Sequence, residues 1–115
     1  MEVRTMAKDD MFKIIYCILK ELYECMKQGV NVNKEDISYE RFGIPYSYWL
    51  DIIIQMQEKG FINGVRCRMT KGTGRIVNYD EIGITFDGVE YLEENSVMKK
   101  VRETLKDIKD IVPRL

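Results

Sequence analysis

A chain of 115 residues has room for one domain around one core, and 45% hydrophobic with 32% charged residues is the profile of a globular protein, which argues against disorder. The 18 basic and 19 acidic side chains leave a net charge of -1, so no overall field draws the molecule to nucleic acid or membrane, and any such attraction must be local. The lack of histidine excludes histidine-based triads, proton relays and metal triads, while three cysteines without a Cys-x-x-Cys pair fit free thiols in a reducing cytoplasm.

Residues 1–8 have mixed charge and no apolar period, and read as a flexible leader. Asp9 or Asp10 then caps a helix in which Phe12, Ile15, Tyr16, Leu19, Leu22, Tyr23 and Met26 form a stripe that ends before Gly29. Ile14, Ile18 and Cys25 widen the apolar arc, so this helix is expected to contact two partners, while Lys13, Cys17, Lys20, Glu21, Glu24 and Lys27 face away. Charges at Lys13, Lys20 and Glu21 interrupt the most apolar stretch, which excludes a membrane span or a signal peptide there.

Val30-Asn31-Val32 has the length of a single extended pairing, and Asn33 caps a short helix that places Ile37 inward and runs out at Phe42-Gly43. Ile44-Pro45 forces a break, and proline then fits the first turn of a third helix. In that helix Trp49, Ile52, Ile53 and Met56 fall three, four and seven apart and share the core face. Gly60 stops it. Phe61, Val65, Cys67 and Met69 alternate with Ile62, Gly64, Arg66 and Arg68, the period of a half-exposed strand whose two arginines point outward. Residues 70–74 make the hairpin tip, and either 76–79 or 82–84 returns. Thr85 caps a helix that turns Val89 and Leu92 inward with Phe86 beside them. Ser96 caps the last helix, where Met98, Val101, Leu105, Ile108 and Val112 form a heptad seam too short to stand alone. The seam is expected to dock on the spare flank of the first helix.

Helix, tight turn, helix, hairpin, helix is the order of an α+β winged helix over residues 9–95, with an added amphipathic helix over 96–115. Ile18-Leu19-Lys20-Glu21-Leu22, then Lys59-Gly60-Phe61-Ile62, then Ile84-Thr85 leading to Gly88 and Tyr91-Leu92, resemble the YjcQ family of small bacterial and phage winged-helix proteins. The resemblance implies the fold and a bacterial or phage setting. It carries no activity and no site residues.

No catalytic constellation appears, and no enzyme activity, metal or cofactor is expected. The carboxylate pairs Asp9-Asp10, Glu35-Asp36, Asp80-Glu81 and Glu93-Glu94 lie at helix ends and in loops, where capping accounts for them. Lys71-Gly72-Thr73-Gly74-Arg75 lacks the Gly-Lys-Ser/Thr ending of a phosphate loop and reads as a turn. For double-stranded DNA, the hairpin residues Arg66, Arg68, Lys71 and Arg75 are candidates for phosphate contacts, and Tyr46, Ser47 and Gln55 on the third helix for base reading. Asp51 and Glu58 on that same helix face oppose phosphates and favour the alternative, a protein-binding adaptor that uses Leu50 and Ile54. A homodimer through the terminal seam and the first helix is the other partner expected; the bland reading of the basic hairpin is a solvated edge.

Overall fold

Helix α1 (Ala7–Gln28) is the element on which the others are laid. It packs against a 3-10 helix (Lys34–Ile37), the strand β4, and the helices α4 and α5 whose limits follow, so its wide apolar arc is filled from both sides. The structure is a computed structural model that describes residues 7–69 and 75–107. Because α1 is already helical at Ala7, neither Asp9 nor Asp10 caps it and the expected leader is shorter by at least two residues. Cys17, expected to face away, is buried on α1, against which the 3-10 helix packs.

No ladder forms over 30–32, and Val30 is exposed, so this segment adds no strand to the hairpin. Asn33 accepts from the Glu35 amide as expected, but Ser38 splits the short helix into the 3-10 helix and α2 (Tyr39–Phe42) by capping anew at Arg41. Gly43 ends α2, and α3 (Tyr46–Glu58) starts after Pro45. The periodicity of α3 holds: Trp49, Ile52, Ile53 and Met56 are buried. Leu50 is buried as well, under the short helix, and is not the exposed partner site expected of it, while Ile54 is half-buried. Trp49 Nε1 donates to the Ile37 carbonyl at 2.9 Å, which satisfies the one polar atom of the largest core side chain.

The hairpin is built in two registers. Strand β1 (Ile62–Asn63) pairs antiparallel with β4 (Gly83–Ile84), and β2 (Arg66–Met69) with β3 (Arg75–Asn78), so both candidate return segments are used. Gly64 stands between them with φ +85, and a Cβ there would meet the Glu81 carbonyl oxygen at 2.0 Å. That left-handed residue resets the alternation. Ile62 and Val65 both turn inward, three apart, whereas simple alternation put Ile62 outward with Phe61 inward. Beyond Val65 the hairpin leaves the body, so Cys67, expected on the buried side, is exposed together with Arg66 and Arg68.

Helix α4 (Phe86–Glu94) is capped by Thr85, whose hydroxyl accepts from the Gly88 amide at 2.9 Å and donates to the Gly60 carbonyl. Its buried face runs through Gly88 and Leu92; Phe86 lies about 200° from Gly88 around the axis and is 85% exposed, contrary to its expected inward place. Helix α5 (Ser96–Asp107) is capped by Asn95 instead of Ser96, through the Val97 and Met98 amides at 2.9 and 3.1 Å. Met98, Val101 and Leu105 are buried where α5 packs on α1 and α4, so this part of the seam docks on the first helix as expected. Ile108 and Val112 lie outside the described residues. No described helix is long and apolar enough to cross a membrane.

Candidate nucleic-acid interface

A two-stranded hairpin alone is marginal in water, so its direction depends on what holds its base. Three contacts do so. The Gln57 side chain, near the end of α3, donates from Nε2 to the Val65 carbonyl at 3.0 Å and accepts from the Val65 amide at Oε1 at 2.9 Å. The carboxamide thus replaces the strand partner that Val65 lacks where the two ladders break. Tyr79, at the other side of the break, meets Trp49 edge-on with ring centroids 5.3 Å apart. Lys34, from the 3-10 helix, forms an ion pair with Asp80 and lies 5.1 Å from the centre of the Tyr79 ring. The hydrogen bond to Asp80 holds the Lys34 ammonium above its ordinary pKa, and burial raises the Tyr79 phenol.

Tyr39, Tyr46, Trp49 and Tyr79 consequently form one aromatic group, with centroid separations of 5.3 to 6.0 Å, that joins α2, the start of α3 and the hairpin. Tyr46 forms its outer edge and is exposed. Helix and hairpin are therefore held in a set relation before any ligand arrives.

On the hairpin itself, Arg66 stands opposite Asn78, Arg68 opposite Ile76, and Met69 opposite Arg75. Directly opposed residues share a face, so positions 66, 68 and 78 lie on one face. Arg66 and Arg68 are exposed, have no ion-pair partner among the described residues, and with Cys67 and Asn78 line a groove of about 540 Å³. Asp80, at the base of the hairpin, is neutralised by Lys34. Of the four expected phosphate contacts, Arg66 and Arg68 stand on this ladder, and Lys71 lies outside the described residues.

Along α3 the outer face carries Ser47, Asp51, Gln55 and Glu58, all exposed, with Tyr48 half-buried. Ser47 and Gln55 reach solvent, and so do the two carboxylates. No group of three or more potential metal ligands occurs among the described residues. Gln57 and Lys34 escaped sequence reasoning. Gln57 sits in Gln55-Met56-Gln57 with nothing to mark it, and Lys34 finds its partner 46 residues away, where no local pattern reaches.

Fold and site together define a helix-rich α+β domain with a basic hairpin clamped to its third helix. The family model described as YjcQ protein matches residues 16–111, and the chain belongs to the YjcQ family, as the helix and hairpin motifs indicated. Comparison with curated proteins and with solved structures found no match.

Proposed function

We propose that this protein is a non-catalytic winged helix that binds double-stranded DNA through its hairpin wing, with Arg66 and Arg68 on the phosphates. The observation that carries the reading is the pair itself: two exposed guanidinium groups on one ladder face without an ion-pair partner among the described residues, on a hairpin fixed against α3 by Gln57 and Tyr79. Guanidinium groups suit phosphate oxygens because their donors form a planar fork. Phosphate contacts fix position and carry no sequence information; Tyr46, Ser47 and Gln55 are the base-reading candidates on α3.

The test is binding of a labelled duplex by fluorescence anisotropy at low salt. Arg66→Glu with Arg68→Glu is expected to abolish it while leaving the urea midpoint nearly unchanged, since both side chains are exposed. Native-like duplex binding by that double variant would overturn the wing as the contact. Exposure of Asp51 and Glu58 on α3 supports a second reading, an adaptor that binds protein, because carboxylates there repel a phosphate backbone. Asp51→Lys with Glu58→Lys separates the two: it strengthens duplex binding if α3 lies near the backbone and does nothing if that face is turned to a protein.

A further inference from the structure

Phe86 is the least expected exposure in the molecule: a large aromatic side chain left 85% accessible at the start of α4. It is not isolated. Met26, 43% exposed near the end of α1, lies across from it, and the half-buried Tyr23 and Val89 complete the floor of a groove of about 680 Å³ between α1 and α4. The rim on the α4 side is Glu90, Glu93 and Glu94. Glu93 is tied to Arg102 at 3.8 Å, while Glu90 and Glu94 have no ion-pair partner among the described residues. Glu24, on the α1 side, is neutralised by Lys20 and Lys27. The groove therefore pairs an apolar floor with a negative rim on its α4 side, while Lys27 lies over the Tyr23 ring on the α1 side.

We infer that this groove is a docking site for a basic, apolar-faced helical segment of a partner protein. Apolar side chains at helical spacing would cover Phe86 and Met26, and lysine or arginine beside them would answer Glu90 and Glu94, the helix-in-groove mode with electrostatic selection. A second copy of this chain fits less well, because a symmetric contact would set one acidic rim against the other. The inference goes beyond the wing reading and holds whether or not the wing binds DNA.

The probe is a fluorescein-labelled peptide of leucine and lysine, about 14 residues long so that an amphipathic helix begins to hold in water. A leucine and glutamate peptide of the same pattern is the control. Anisotropy titration of the full chain is expected to show saturable binding of the basic peptide and none of the acidic one. Phe86→Ser keeps every charge and, the ring being exposed, leaves the fold intact; it is expected to weaken binding about tenfold or more, the share owed to burying one aromatic side chain. Glu90→Gln with Glu94→Gln is expected to weaken it further and flatten its salt dependence. Unchanged binding by Phe86→Ser would reduce the effect to unspecific charge attraction and overturn the proposal. A dimer in sedimentation that Phe86→Ser dissociates would also overturn it, by giving the groove to a second copy.

Discussion

Trp49 concentrates the consequences of single residues. It is 1% exposed, its indole N–H holds the Ile37 carbonyl, and its ring meets Tyr39, Tyr46 and Tyr79. Trp49→Ala is expected to cost about 3 to 5 kcal/mol in urea unfolding, a large part of an ordinary domain's stability. Trp49→Phe keeps most of the packing but leaves the Ile37 carbonyl without its donor, a loss of about 1 to 3 kcal/mol. The cysteines separate by environment in the same way. Burial pushes the Cys17 thiol up to about 11, whereas Cys67 is exposed on β2. With a disulfide reagent at neutral pH, Cys67 should react at once and Cys17 only as fast as the protein opens. The raised Cys17 value also sets a pH dependence. Above the ordinary thiol pKa the unfolded chain loses this proton while the folded one keeps it, so stability should fall as pH rises from about 9 to about 11. Cys17→Ala should lessen that fall. Tyr16, whose phenol burial also raises, adds to it at the upper end in both forms.

The hairpin is where sequence and structure part, and the reason is local. A helix such as α3 that buries one side writes its orientation into spacings of three and four, and Trp49, Ile52, Ile53 and Met56 could be read directly. A strand is legible only while its alternation runs unbroken. Gly64 interrupts it, so the inward positions Ile62 and Val65 are three apart and no count by twos finds both. The exposed arginines were legible from their charge, and they lie beyond that break, where residues 66–68 are all exposed. The clamps were not, since Gln57 to Val65, Trp49 to Tyr79 and Lys34 to Asp80 are tertiary pairings of side chains with no shared pattern. They make a prediction at this scale. Gln57→Leu removes both partners of the buried Val65 peptide groups and should cost about 1 to 3 kcal/mol for each group left unsatisfied. Amide exchange should quicken at Val65 and through β2 and β3 before it does in α1. Duplex binding should weaken with it, although Gln57 is not among the phosphate contacts.

Across the whole molecule the near balance of charge conceals two unlike surfaces. The hairpin presents Arg66 and Arg68 beyond the body of the domain, and the groove between α1 and α4 presents Glu90, Glu93 and Glu94 around exposed Phe86. With a net charge of -1, attraction to DNA has to come from the first of these alone. That makes the salt dependence of duplex binding the most direct measurement of the role proposed for the hairpin. Each phosphate neutralised on a duplex contributes about 0.9 to the slope of log affinity against log salt, so Arg66 and Arg68 together predict a slope near -2, steeper by about one for each further contact from the hairpin. Arg66→Glu with Arg68→Glu should remove the binding and its salt dependence together. A duplex affinity that does not change with salt, or no binding of the native chain even at low salt, would contradict the account.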